Sequence, residues 1–348
     1  MTYTLDTYRT LGATGLRVSP LALGTMTFGG RDRWHGDGGD DDAARAIFHR
    51  YLDAGGNFLD TANVYAGGRS EELLGAFMAG AGVRDRMVVA TKFSHATRPG
   101  DPNAQGNGRK NLIASLDASL RRLRTDYVDL YWLHLWDGFT PVEEVMATFD
   151  ALVRAGKVRA VGLSNVPAWY AARAQTLARG RGWTPVAALQ LEYSLLRREI
   201  EWEHVPAAAG LGLSVIPWYP LAGGFLTGKY TRSGDAVTGP GRLDAGRGYP
   251  DVRPHPDRHW AVLDAVRAVA AELDRPPAQI ALAWLASRPH VASVLAGATT
   301  TAQLDANLAA VDLTLTGDQL ARLDEVSRPE TPFLYRLLQD PAAVRSSG

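Results

Sequence analysis

Eight times along the chain a short apolar run gives way to a turn and then to a longer segment with one apolar face. The runs are LALGTM (21–26), NFLDTA (57–62), MVVATKF (87–93), VDLYWLH (128–134), VRAVGLSN (158–165), AALQLEY (187–193), LSVIPWY (213–219) and SVLAGA (293–298). Each is rich in Val, Leu, Ile or Ala, as strands of a parallel sheet covered on both faces are. The segments between them carry helix punctuation. DDDAARAIFHRYLDAG starts on acidic residues and stops at glycine, NLIASLDASLRRL has helical periodicity, and PVEEVMATFDALVRAG and PAWYAARAQTLARG start on proline. Alternation of this kind predicts an α/β fold, a (β/α)8 TIM barrel. A doubly wound sheet is the alternative, but eight units and the absence of a GxGxxG motif argue against it.

At 348 residues the chain suits a single barrel spanning 1–348. Two additions stand outside the repeat. YRTLGATGLRVSPLALG holds two short runs around a Gly-rich turn and predicts a β-hairpin capping one barrel end. The stretch 221–258, after the seventh strand, is rich in Gly, Pro, Arg and Asp and predicts a long functional loop. Val205 to Gly228 carries no charge for 24 positions, long enough for a membrane span. Its three prolines and five glycines suit a buried strand and a glycine loop far better.

Formal charge is zero and the pI is about 7.1, which points away from nucleic acid and anionic membranes. The chain has no cysteine, which removes disulfides and thiolate metal sites and fits a reducing compartment. No metal site is assigned. The N-terminus lacks a basic start followed by an apolar stretch, so the expectation is a soluble, cytoplasmic protein. Arginine outnumbers lysine 33 to 4, which makes each lysine worth inspecting.

Chemistry in such a barrel sits at the C-terminal ends of the strands. The second, third and fourth runs end on Asp60, Lys92 and His134, and Tyr65 follows the second by five residues. Neighbouring strands lie roughly 4.8 Å apart, so the four side chains can share one pocket. A phenol with an ordinary pKa of about 10 exchanges its proton poorly near neutrality. An ammonium beside it favours the phenolate, by about 4 kcal/mol at ~4 Å and an effective dielectric of ~20. Asp60 would keep Lys92 charged and oriented, and His134 would donate to a substrate oxygen. Together they describe a general acid for a carbonyl oxygen on which negative charge is building. Taken singly, a strand-end Asp more often caps a helix, and a histidine among aromatics is more often core. The coincidence at three successive strand ends is what favours function.

The segments LGTMTFGG, FLDTANVYAGGRSEELLG, TKF, DYVDLYWLHLWD, GLSN, LQLEYSLL, PLAGGFLTGKY and GATTTAQLDANL resemble the aldo-keto reductase family over nearly the whole chain. GNGRKNLIASLDASLRRLRTDYVDLYWLHLWD resembles its aryl-alcohol-dehydrogenase-like branch. The resemblance implies that Asp60, Tyr65, Lys92 and His134 form the catalytic tetrad, with Tyr65 the proton donor, and that NADPH is bound, NADH being possible. It assigns Ser164, Asn165 and Gln190 to the nicotinamide carboxamide and Trp218 to stacking on the nicotinamide ring. It places Leu221, Gly223, Gly224, Leu226 and Lys229 near the pyrophosphate, and Gly297, Thr299, Thr300, Gln303 and Asn307 at the adenosine end. Tyr219 stands where the family often has serine, which leaves one phosphate contact open. No Arg or Lys stands at Thr299 or Gln303, where many relatives pair one with the 2′-phosphate.

Phe28, Trp34, His35, Phe93 and Trp136 cluster by sequence near the proposed pocket, and a tail at about 328–348, with TPFLYRLLQ (331–339), can in this family fold over the barrel mouth. An apolar pocket suits an aryl aldehyde, a polyketide-type ketone or a keto-sugar. The expected activity is NAD(P)H-dependent reduction of a small carbonyl to its alcohol by a monomer or homo-oligomer. Two other readings are a cofactor-sensing regulatory subunit of the same fold and a lyase forming a Schiff base at Lys92.

Overall fold

The computed structural model describes residues 4–30, 40–233, 236–241, 243 and 256–339. Trp34 and His35, and most of the arginine-rich part of the loop after the seventh strand, lie outside them. Eight parallel strands form one sheet: β1 (Leu21–Gly24), β2 (Phe58–Asp60), β3 (Val88–Phe93), β4 (Val128–Leu133), β5 (Val158–Ser164), β6 (Val186–Glu192), β7 (Ser214–Trp218) and β8 (Val294–Ala296). Strand order is β8-β1-β2-β3-β4-β5-β6-β7. A parallel bridge between Val215 and Val291 brings the eighth segment to the seventh and nearly closes the barrel.

The helices are α1 (Asp41–Asp53), α2 (Arg69–Ala81), α3 (Arg109–Leu123), α4 (Val142–Arg154), α5 (Ala168–Arg181), α6 (Ile200–Leu211), α7 (Pro256–Leu273), α8 (Pro277–Ala286), α9 (Thr301–Leu308), α10 (Gly317–Ser327) and α11 (Phe333–Gln339). Capping follows the sequence signals. The Asp40 carboxylate accepts from the Ala43 amide, and Thr316 and Gln319 form a reciprocal capping box on α10. Pro141 and Pro167 sit at the N-cap positions of α4 and α5, one step before the first turn.

Strand alternation divides the apolar residues into two cores. Outward residues such as Leu59, Val89, Tyr131 and Leu163 meet the helices. Inward residues Ala22, Phe58, Val88, Ala90, Leu130, Trp132, Ala160, Ala188 and Ile216 fill the barrel. The predicted hairpin pairs Arg9–Thr10 with Arg17–Val18. Its Leu11 and Val18 are buried among the interior residues, and the Gly12 amide donates to Ser214 Oγ at the start of β7. It therefore plugs the N-terminal end, opposite the strand ends that carry chemistry.

One expectation needs correction. Val205–Leu211 is not strand or loop but the second half of α6, with Pro206 inside it. Pro206 lacks an amide hydrogen, so the Trp202 carbonyl goes without its usual helical donor there. Among its described residues, the long loop expected after β7 carries local structure. It contains a 3-10 segment, Ala222–Thr227, and a small hairpin pairing Thr231–Ser233 with Ala236–Thr238. Among the described residues no helix is long and apolar enough to cross a membrane.

Candidate active site

Period-two alternation sets the site. If Phe58 points inward, so does Asp60; Val88 and Ala90 carry Lys92 inward, Leu130 and Trp132 lead to His134, and Ala160 leads to Ser164. The inward file of each of these four strands is apolar at the bottom and polar at its C-terminal end. Lys92 is fully buried. Its ammonium pairs with Asp60 Oδ1 and donates to the Thr61 carbonyl at 2.9 Å and to the Tyr65 hydroxyl at 3.3 Å. The second Asp60 oxygen accepts from Trp132 Nε1 at 3.0 Å and from Gln190 Nε2 at 2.9 Å. The carboxylate is thus held on both oxygens.

Trp132 reaches Asp60 because the facing position on β5 is glycine. A Cβ at Gly162 would lie 2.2 Å from the indole, so any side chain there displaces the ring. Burial pulls the Lys92 ammonium down, but the Asp60 carboxylate and the Tyr65 phenol outweigh it and hold it above the ordinary lysine value. His134 goes the other way. Burial, the Lys92 charge and a second imidazole, His95, push it well below its usual range, so it is a neutral ring that donates an N–H. Its Nδ1 is buried with no hydrogen-bond partner among the described residues. The ring lies edge-on to Tyr65, with centroids 6.0 Å apart at 82°.

Asn165, at φ 50, ties the next strands to this centre. Its amide donates to the His134 carbonyl and to Ser164 Oγ, both at 3.0 Å, and accepts from Trp218 Nε1 at 3.0 Å. Trp218 is thereby fixed at the end of β7 with part of its ring exposed. Tyr219 follows in left-handed backbone, and a Cβ at Gly223 would lie 2.6 Å from its hydroxyl. Glycine is favoured there both by that approach and by φ 68. Ala222, Gly223 and Gly224 are all left-handed, and the Ala222 and Gly224 amides close the turn by donating to the Tyr219 and Leu221 carbonyls, both at 2.9 Å. Lys229 Nζ lies 5.3 Å from the centroid of the Tyr230 ring beside this turn.

Beyond β8, Thr300 caps α9 by accepting from the Gln303 amide, and Gln303 Oε1 accepts from the Thr299 amide and hydroxyl. Asn307 is buried and donates to the Gly297 carbonyl at 3.3 Å. The donor set therefore fits a dinucleotide cofactor: an aromatic platform beside the tetrad, a left-handed glycine turn, and a capped helix N-terminus.

The substrate-pocket expectations fare unevenly. Phe93 is a correction. Lys92 points in, so its neighbour points out, and the Phe93 ring packs on Tyr131 and Phe149. Phe28 is likewise core, edge-on to Phe77 of α2. Trp136 stays half-buried beyond β4, against Trp169 and Tyr170, and Leu135, Phe139 and Trp169 are exposed near it. On α11, Tyr335 stacks on Trp202 and hydrogen-bonds Glu203 at the start of α6, while Phe333, Leu334, Leu337 and Leu338 are exposed. Sequence reasoning missed Trp132 and His95. The signal for the first was its position two residues before His134, on the same face. A surface cavity of about 570 Å³ lined by Arg45, Arg69, Phe77 and Arg122 includes none of the tetrad among its lining residues. No group of three or more His, Asp or Glu side chains suited to a metal occurs among the described residues.

Glu192 ends β6 opposite Trp218. Burial pushes its carboxyl up to about 7, with Glu199 adding to that and Arg197, 3.9 Å away, opposing it. A raised folded value means that the native chain binds a proton between about pH 4.5 and 7 that the unfolded chain does not. Stability should therefore fall as pH rises through that window, by up to about 3 kcal/mol. Glu192→Gln should flatten this part of the profile in denaturant unfolding at pH 5 and pH 8. Parallel profiles for the two proteins would show that the carboxyl titrates normally.

A sequence model of the aldo/keto reductase family matches residues 20–328. The chain is 37% identical over 319 residues to a norsolorinic acid reductase of Emericella nidulans, covering 89% of this chain and 79% of that protein. It is 36% identical over 341 residues to the oxidoreductase YrpG of Bacillus subtilis, covering 94% and 99%. To an aryl-alcohol dehydrogenase [NADP(+)] of Phanerodontia chrysosporium it is 34% identical over 339 residues, covering 94% and 87%.

Proposed function

The chain belongs to the aldo/keto reductase family, and from that premise we propose that it is an NADP-dependent reductase of aromatic or bulky aldehydes and ketones. The observation that carries this reading is the buried Lys92 ammonium, bonded at once to Asp60 and to the Tyr65 hydroxyl. Reduction needs a proton at the carbonyl oxygen as negative charge develops there, and these groups are built to release one. Tyr65 gives its proton to that oxygen. The Lys92 charge stabilises the phenolate left behind, and Asp60, fixed by Trp132 and Gln190, keeps the ammonium in place. His134, neutral, steadies the same oxygen through an N–H.

The nicotinamide cofactor, when bound, supplies the hydride. Ser164, Asn165 and Gln190 would hold its carboxamide, Trp218 would back its ring, and the Leu221–Leu226 turn with Lys229 would meet the pyrophosphate. Gly297, Thr299, Thr300, Gln303 and Asn307 would take the adenosine end. Aryl aldehydes, polyketide-type ketones and keto-sugars are the substrate classes that the aromatic rim suits, and relatives named for norsolorinic acid reduction and aryl-alcohol oxidation favour the first two. We read the exposed apolar face of α11 as a flap beside the mouth. One chain supplies all four tetrad residues, so a monomer in the cytoplasm suffices. A Schiff base at Lys92 is disfavoured because its nitrogen is buried and already has three partners.

The test is a panel of aryl aldehydes and ketones with NADPH and NADH in parallel. Carbonyl-dependent oxidation of the cofactor is expected; no turnover with any of them would favour the regulatory reading. Thr299 and Gln303 are uncharged, and neutral groups bond a 2′-phosphate about half as strongly as charged ones. The preference for NADPH should therefore be modest. Thr299→Arg should raise the kcat/KM ratio of NADPH over NADH by roughly 1–2 kcal/mol. A parent enzyme that already excludes NADH, with no gain in the variant, would place the phosphate on another cation.

A further inference from the structure

We propose that His95 is a second imidazole of the substrate site that hydrogen-bonds a hydroxyl beside the reacting carbonyl, so that the preferred substrates are hydroxy-carbonyls of the 2-hydroxyaryl type. This rests on the reductase reading and narrows it. The geometry starts at Ser94, which takes φ 117, a backbone conformation that L residues rarely adopt. Such a residue persists only where its surroundings over-determine it. Three bonds do so here. Ser94 Oγ donates to Asn107 Oδ1 at 2.6 Å and accepts from the His134 amide at 3.1 Å, and the Ser94 carbonyl accepts from the Gly106 amide at 2.7 Å. The strained link lies between the end of β3 and His95, and it directs the next side chain back onto the catalytic histidine.

The result is an imidazole pair. The His95 and His134 rings are perpendicular, with centroids 4.6 Å apart, and Tyr65 stands 6.0 Å from His134, also edge-on. His95 is half-buried, and its ring makes no hydrogen bond to another described residue. Burial and the Lys92 charge hold it below the ordinary histidine range, so near neutrality it offers one donor and one acceptor. A hydroxyl is the group that matches both. The carbonyl oxygen must lie against Tyr65 and His134. An oxygen on the adjacent or ortho carbon sits about one hydrogen-bond length from it, toward the next imidazole.

The experiment compares kcat/KM for 2-hydroxybenzaldehyde and benzaldehyde in the parent, His95→Phe and His95→Gln, at a pH where the phenol is un-ionised. Comparing ratios between proteins cancels the intrinsic reactivity of the two aldehydes. His95→Phe should lower the ratio about five- to ten-fold, the worth of one neutral hydrogen bond. His95→Gln, which keeps a donor and an acceptor, should retain part of the preference. A ratio that is the same in parent and His95→Phe overturns the assignment, as does a glutamine variant that loses it as fully as phenylalanine. A parent that reduces neither aldehyde nor any other carbonyl overturns the reductase reading itself.

Discussion

Tyr65→Phe should lower carbonyl reduction by two to four orders of magnitude and leave the fold and cofactor affinity near parental. The hydroxyl is the only group removed, and general acid catalysis is worth about that much. The fold should tolerate it because Lys92 keeps Asp60 and the Thr61 carbonyl as partners when the 3.3 Å contact to the phenol is lost. Cofactor affinity should hold because Trp218, Ser164 and the glycine turn make no use of that oxygen. Steady-state rates with an aryl aldehyde, together with quenching of protein fluorescence by NADPH, separate the two effects. A variant retaining more than about a tenth of parental activity would remove Tyr65 from its role. A variant that also failed to bind cofactor would show that the hydroxyl organises the groove as well.

The barrel was legible in the sequence because eight apolar runs, each short and carrying at most one charged residue, have few other ways to be buried on both faces. The tetrad was legible because period-two alternation is rigid: once Phe58 and Val88 are assigned to the interior, Asp60 and Lys92 must follow. The same rule, applied to Phe93, would have turned it away from the pocket, and proximity in sequence was a poor substitute for it. Pro206 misled for a different reason. A proline argues against helix locally, but here tertiary packing of α6 overrides it. His95 was illegible because nothing in the string TKFSHAT marks Ser94 as left-handed. That conformation is imposed by Asn107, Gly106 and the His134 amide, partners 12 to 40 residues away in sequence.

Lys92→Met should be nearly inactive and also less stable, by about 3–5 kcal/mol, whereas adding Asp60→Asn should restore part of the stability and none of the activity. The order follows from which charge is left alone. In the parent, the ammonium and the carboxylate are both buried and satisfy each other. Removing the lysine leaves an Asp60 carboxylate with the Trp132 and Gln190 donors but no cation, and breaking a buried pair from one side typically costs this much. Replacing the carboxylate by an amide removes the unpaired charge, and an amide oxygen can still accept from the indole and from Gln190. Two substitutions should then be better tolerated than one. Activity cannot return in either protein, because no cation remains to stabilise the Tyr65 phenolate. Denaturant unfolding of parent, single and double variants at one pH measures the order directly. A double variant less stable than Lys92→Met would mean that the carboxylate is held chiefly by its neutral donors, and that the lysine serves the tyrosine rather than the fold.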